Sequence, residues 1–146
     1  MVTRESTVEL VRAFWDKFTA DDLDAVEAMM SQDVVRLGPR KDDEEDISRG
    51  RDAYMTYLRA IKSTMPSHGG RILDAVASQN GRRGFLNCIE IVALDPGSTD
   101  TIESKAFLIF DVNNEGLICL IDIFWKQPAK DISWTRVKEL NEAAAI

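Results

Sequence analysis

The sequence predicts an α+β fold, a curled antiparallel sheet packed against three N-terminal helices, with a short C-terminal helix. Three observations carry this expectation. Apolar residues recur at helical spacing in the first half of the chain, they run at strand spacing in the second half, and the later strands are joined by links too short for a crossover. At 146 residues the chain fits one domain, 1–146, long enough to bury a core and a small cavity.

Over 6–19, Val8, Val11, Phe14, Trp15 and Phe18 share a helical face, with Ser6 or Thr7 available as a cap. A short second helix is expected over 22–30, capped by Asp21 or Asp22, with Leu23, Val26, Met29 and Met30 as its apolar stripe. SQDVVRLGP, β-branched and closed by Gly-Pro, reads as the first strand. RKDDEEDISRG carries five consecutive acids, Asp42 to Asp46, and is expected to lie in solvent as a loop. After Gly50 a third helix runs to about Met65, with Tyr54, Tyr57, Leu58 and Ile61 on one side, and Pro66 ends it. Four strands follow at about 71–78, 83–94, 101–112 and 117–127, linked by the turn formers of SQNG, DPGSTD and NNEG. DISWTRVKELNEAAA gives the C-terminal helix, started by Asp131.

Charge and composition exclude several classes of function. The net charge is −7, and no basic stripe with interleaved aromatics stands out, which counts against a nucleic-acid partner. No apolar run approaches the roughly 18 to 20 residues of a membrane helix, and MVTRESTVEL lacks the apolar core of a signal peptide. A cytoplasmic protein with no membrane partner is expected. Cys88 and Cys119 sit in expected strands and form no C-x-x-C, which predicts two reduced, buried thiols and no zinc site. His68, the only histidine, lies in PSHGG beside flexible glycines and reads as an exposed loop residue. Neither a metal nor another cofactor is expected.

Two acids stand out because each interrupts an apolar run: Asp122 in LICLIDIFW and Glu90 in FLNCIEIVAL. An ionised carboxylate taken out of water is costly unless it is paired, hydrogen-bonded or held neutral. Strand alternation groups Ile118, Leu120, Asp122 and Phe124 on one face, and Leu86, Cys88, Glu90 and Val92 on one face of the earlier strand. With both faces turned toward the helices, Glu90 and Asp122 line one cavity across an intervening strand, roughly 10 Å apart. Cys88, Leu120 and Phe124 then contribute substrate-contacting walls. Arg36, Tyr54 and Tyr57 are further candidates for substrate contact, and an inward Arg36 would neutralise Asp122. Whether Ser104 or Lys105 also points inward depends on strand register. Two carboxylates in an apolar pocket suit general acid–base chemistry without a metal. The opposite face of the last strand is apolar as well, and a second copy of the chain would cover it, which predicts a homodimer.

The order helix, helix, strand, helix and four-strand meander, with FTADDLDAVEAMMSQDVV, SRGRDA, NCIEIVAL and NNEGLICLIDIFW in sequence, resembles the cone-shaped fold of the nuclear transport factor 2-like superfamily. It is most similar to the SnoaL-like polyketide cyclase and limonene-epoxide hydrolase branch, over about 8–127. The resemblance implies that Asp122, in IDIF, is the acid or base of the last strand. Epoxide hydrolases of that branch carry Arg-x-Asp on the earlier strand, where this chain reads Cys88-Ile89-Glu90. They hold water with a tyrosine and an asparagine on the first strand, where this chain has Val35 and Leu37. The implied function is a cofactor-free cyclase or isomerase of an apolar, polyketide- or terpenoid-like small molecule in specialised metabolism, with epoxide hydrolysis or epoxide-opening cyclisation as an alternative. A non-catalytic binding or dimerisation module is the other alternative. In the competing structural reading, Asp122 pairs with Arg36, Lys105 or a backbone amide, Glu90 faces solvent, and Tyr54 and Tyr57 are core residues.

Overall fold

The computed structural model describes residues 1–39, 44–93, 97, 99–126 and 142–143. Helix α1 (Arg4–Thr19) opens with a capping box, in which the Ser6 amide donates to the Thr3 hydroxyl and the Thr3 amide to the Ser6 hydroxyl. The cap is therefore Thr3 and not Ser6 or Thr7. Thr7 is instead buried, donating its hydroxyl to the Gly81 carbonyl at 2.5 Å. Helix α2 (Leu23–Ala28) is capped by Asp22, which accepts from the Ala25 amide. It is shorter than expected, because Met30 already begins strand β1 (Met30–Leu37). A single 3-10 turn, Glu44–Asp46, leads into β2 (Ile47–Arg49), a three-residue strand too short to leave a sequence signal. Helix α3 (Arg51–Thr64) follows Gly50. The last four strands are β3 (Gly69–Ala77), β4 (Arg83–Ala93), β5 (Thr101–Val112) and β6 (Ile118–Lys126). Asp42, Asp43, half of DPGSTD and, apart from 142–143, the expected C-terminal helix lie outside the described residues.

The sheet order is β2-β1-β6-β5-β4-β3. Strands β3 to β6 form the antiparallel meander that their short links dictate. Strand β1 joins this meander beside β6 and parallel to it, so the sheet is mixed and not wholly antiparallel. It curls without closing. Helix α1 lies on β3 and β4, and α3 on β1 and β2. The core fills the space between, around Val11, Phe14, Leu86, Leu108 and Phe110. At Gly84 a side chain would meet Val11 at 2.7 Å, which shows how closely α1 approaches the sheet. Among the described residues no helix is long and apolar enough to cross a membrane.

One irregularity decides which side chains of β6 face inward. Ile118 pairs with Val112 but Leu120 with Asp111, so β6 carries one extra residue, a bulge at Cys119. Ile118 is fully buried under the helices. Beyond the bulge the alternation is reversed, and Ile121, Ile123 and Trp125 face the helices in place of Leu120, Asp122 and Phe124. The expectation that Asp122 shares a face with Glu90 is thereby corrected. Asp122 lies beside Ile109 and Leu37 on the outer side of the sheet, and its charge acts on Arg83 there.

Candidate active site

Between α1 and α3 the concave side of the sheet holds a cavity of about 40 Å³. Its walls are largely aromatic, with Phe14, Trp15 and Phe18 from α1, Tyr54 and Tyr57 from α3, and Trp125 from β6. Two polar groupings stand in this lining.

The first is His68 with Glu90. Both are buried, and His68 Nε2 lies 2.5 Å from Glu90 Oε1. The local chain explains the placement. After α3 the His68 amide donates to the Met65 carbonyl, and the Lys62 ammonium donates to the His68 carbonyl. Gly69 and Gly70 then carry the chain down onto β4, where Gly70 pairs with Glu90. Gly70 has φ 152, and a Cβ there would lie 1.8 Å from the Ile89 carbonyl oxygen, so only glycine permits this descent. The imidazole just before it is set against the carboxylate, with Phe18 edge-on to the ring at 5.5 Å. His68 is thus not the exposed loop residue that PSHGG suggests. Burial lowers the pKa of Lys62, whose ammonium stands 4.4 Å from the centre of the Phe18 ring.

The second grouping is Arg36, which is 3% exposed. Its guanidinium lies 3.9 Å over the Tyr57 ring, donates to the Tyr57 hydroxyl at 2.8 Å and pairs with Asp46 at 3.1 Å. Asp46 is therefore not part of a solvated acidic block. A buried guanidinium needs a counterion, and the last acid of the run supplies it. Burial raises the pKa of Tyr54 and Tyr57, against the opposing pull of Arg36, which keeps both phenols protonated at neutral pH.

Of the sequence candidates, Glu90, Arg36, Tyr54 and Tyr57 come together in the cavity lining. Cys88 faces the same side but is sealed in the core beneath, where burial pushes its thiol up to about 12. Cys119, also a free thiol, is only half-buried. Leu120, Asp122 and Phe124 are across the sheet, a consequence of the bulge. Ser104 pairs with Glu90 and is buried, while Lys105 points outward and is exposed. Sequence reasoning missed His68, Trp15, Ile123 and Trp125. The one signal for His68 was the glycine pair that follows it, which marks close backbone approach as readily as flexibility. Among the described residues no group of three His, Cys, Asp or Glu side chains is arranged to hold a metal ion.

Among the described residues, several buried polar atoms of the lining have no hydrogen-bond partner: Nε1 of Trp15 and of Trp125, Nε of Arg36 and Nδ1 of His68. Buried polar groups are ordinarily satisfied. The arrangement can therefore accept a proton at an imidazole backed by a carboxylate, and can donate several hydrogen bonds to a guest.

A family model described as a SnoaL-like domain matches residues 11–121. No curated protein matches the sequence. Among solved structures, a LEH-like epoxide hydrolase of M. tuberculosis superposes with TM-score 0.70 at 19% identity, over 84% of each chain. SalBIII, an epoxide hydrolase/cyclase-like enzyme of pyran ring formation in the polyether salinomycin, gives 0.71 at 21%, over 84% of this chain and 92% of that one. A candidate ketosteroid isomerase from Kribbella flavida gives 0.71 at 15%, over 91% and 87%. At these identities the likeness speaks for the fold alone.

Proposed function

Because the chain belongs to the SnoaL-like domain family, we propose that it is a cofactor-free cyclase or isomerase of an apolar, polyketide- or terpenoid-like small molecule, working by general acid–base chemistry. The observation that carries this reading is the buried contact of His68 with Glu90 at 2.5 Å in an aromatic cavity. With Glu90 as carboxylate, Nε2 donates to it and Nδ1 keeps the lone pair. The base of the reaction is then His68 oriented by Glu90, in place of Asp122, which faces the other side of the sheet.

In this scheme Nδ1 takes a proton from the carbon beside a substrate carbonyl. The C–H electron pair becomes the C=C bond of an enolate, and the carbonyl π pair moves onto oxygen. The imidazolium that forms is stabilised by the Glu90 carboxylate. Where the enolate is conjugated with a C=C bond, return of the proton to the far carbon of that system shifts the double bond and completes an isomerisation. Attack of the enolate carbon on a second carbonyl instead closes a ring, the π pair of that carbonyl moving onto its oxygen, which takes the proton back from the imidazolium. At about 40 Å³ the cavity takes only the carbonyl end of such a substrate, and its aromatic walls set that end against the imidazole.

Epoxide opening is the second reading, supported by the fold neighbours named for it and by the Tyr57 hydroxyl, which is held on Arg36 and protonated. There the pair would activate a water or a substrate hydroxyl. The two-carboxylate version of that chemistry loses support, since only Glu90 of the two acids lines the cavity.

Turnover of a panel of enolisable ketones, linear polyketide-like esters and epoxides tests both readings. Glu90→Gln and His68→Asn are expected to lower kcat/KM by roughly a hundredfold or more while staying folded at the assay temperature, with melting temperatures lowered because each weakens a buried contact, and Asp122→Asn is expected to keep activity. The outcome that sinks the proposal is a folded Asp122→Asn without activity beside active His68 and Glu90 variants. Absence of turnover across the panel would favour the binding-module alternative.

The same proposal includes a homodimer in the cytoplasm. The outer sheet face carries Phe107 and Phe124, directly paired across β5 and β6, and Phe85 stacked on Phe107 at 6.1 Å. Phe107 and Phe124 are about 40% exposed. The ion pairs Arg83–Asp111 and Arg71–Glu103 flank this ridge with both signs of charge, a pattern that a second copy can complement. Free thiols at Cys88 and Cys119 fit a reducing compartment.

A further inference from the structure

We infer that the indole N–H groups of Trp15 and Trp125, joined by the Nε–H of Arg36, hold the carbonyl oxygen of a neutral, flat, enolisable ketone or ester and receive its negative charge as the enolate forms. This inference rests on the reading of His68 and Glu90 as the base, and adds to it the other half of the site and the class of substrate.

The first support is the number of idle donors. Three buried N–H groups without partners belong to residues lining one cavity, and they come from α1, β6 and β1. Leaving a buried donor unsatisfied costs stability, and three such costs around one small space point to a guest that repays them. The second support is what the cavity lacks. Of the oxygens in its lining, Glu90 Oε1 is taken by His68 and the Tyr57 hydroxyl by Arg36, which also holds Asp46 behind it. What is missing is an acceptor for the idle donors, and a carbonyl oxygen with two lone pairs supplies one that several can share.

Charge then narrows the class. Arg36 is offset by Asp46, so with Glu90 ionised a ligand that already bears a carboxylate is repelled. A neutral carbonyl compound enters without that penalty. When its C–H proton passes to Nδ1, the imidazolium and Glu90 offset each other, and the new charge sits on the oxygen beside the N–H donors. Indole N–H groups suit this role because they donate but cannot give up the proton at ordinary pH. The flat walls of Phe14, Phe18 and Tyr54 favour a planar guest.

The test uses 4-nitrophenol, at a pH where it is largely neutral in solution, as a ligand that can pass its proton to His68 and leave an oxyanion among the donors. Toluene serves as a flat ligand without an acceptor. The chain has three tryptophans, hence three indole N–H signals in a 15N-labelled sample, assigned with Trp15→Phe and Trp125→Phe. We expect 4-nitrophenol to move the Trp15 and Trp125 signals downfield and to show phenolate absorbance when bound. Each Trp→Phe variant should bind it about tenfold or more weakly, with toluene binding little changed. Glu90→Gln should lose the phenolate absorbance yet keep the indole shifts, so a failure of the base and a failure of the donor site read differently. Indole signals that stay in place at saturating 4-nitrophenol, variants that bind it as tightly as the wild type, or no binding at all would each overturn the inference.

Discussion

His68 and Asp122 show how a residue's surroundings reverse its sequence reading. A histidine beside two glycines reads as exposed, yet those glycines let the strand descend onto Glu90 and bury the imidazole there. An aspartate amid eight apolar residues reads as pocket-facing, yet it stands on the outer side of the sheet. Tyr54 offers a test at this scale. Burial raises its phenol above the ordinary value of 10.0, so the folded chain keeps a proton that the unfolded chain releases. Its contribution to stability is complete below that ordinary value and is lost as pH rises through the window above it. Denaturation midpoints measured from about pH 8 to about pH 11 should therefore fall less steeply for Tyr54→Phe than for the wild type, once the neutral-pH offset is subtracted. Parallel curves would show that the phenol is not desolvated in solution.

At the scale of elements, the periodicities identified helices and strands well because each has an apolar face to bury. Helices α1 and α3 and all four meander strands stand where spacing placed them, to within a few residues at the ends. Strand β2 escaped, since three residues carry no period, and so did the bulge at Cys119, since an extra residue in an apolar run leaves the composition unchanged. The start of β3 gives a prediction. Gly70→Ala drives a Cβ into the Ile89 carbonyl from a backbone angle that L residues rarely adopt, which should cost roughly 2 kcal/mol or more in a denaturant melt. Turnover should fall further than the same substitution's effect on folding requires, because His68 two residues earlier loses its place beside Glu90. A Gly70→Ala variant with wild-type stability and rate would show that β3 does not set the imidazole.

For the whole molecule the decisive feature is the division of one curled sheet into two faces with different tasks. The concave face keeps a small aromatic cavity with its donors in place, and the convex face offers Phe85, Phe107 and Phe124. Sedimentation should give about twice the chain mass of 16.4 kDa, and Phe107→Asp, which buries a charge in the proposed interface, should return the chain to a monomer with its secondary structure intact. A wild type that sediments as a monomer at high concentration would remove the dimer. The sequence by itself determined the α+β class, the order of the three helices, β1 and the meander strands, and the oddity of Glu90, because these follow from periodicity, turn chemistry and the cost of an acid in an apolar run. Only the tertiary structure decided the partner of Glu90, the counterion of Arg36 and the side on which Asp122 stands. Each depends on register and on contacts between segments far apart in the chain, and a single extra residue in one strand is enough to exchange its two faces.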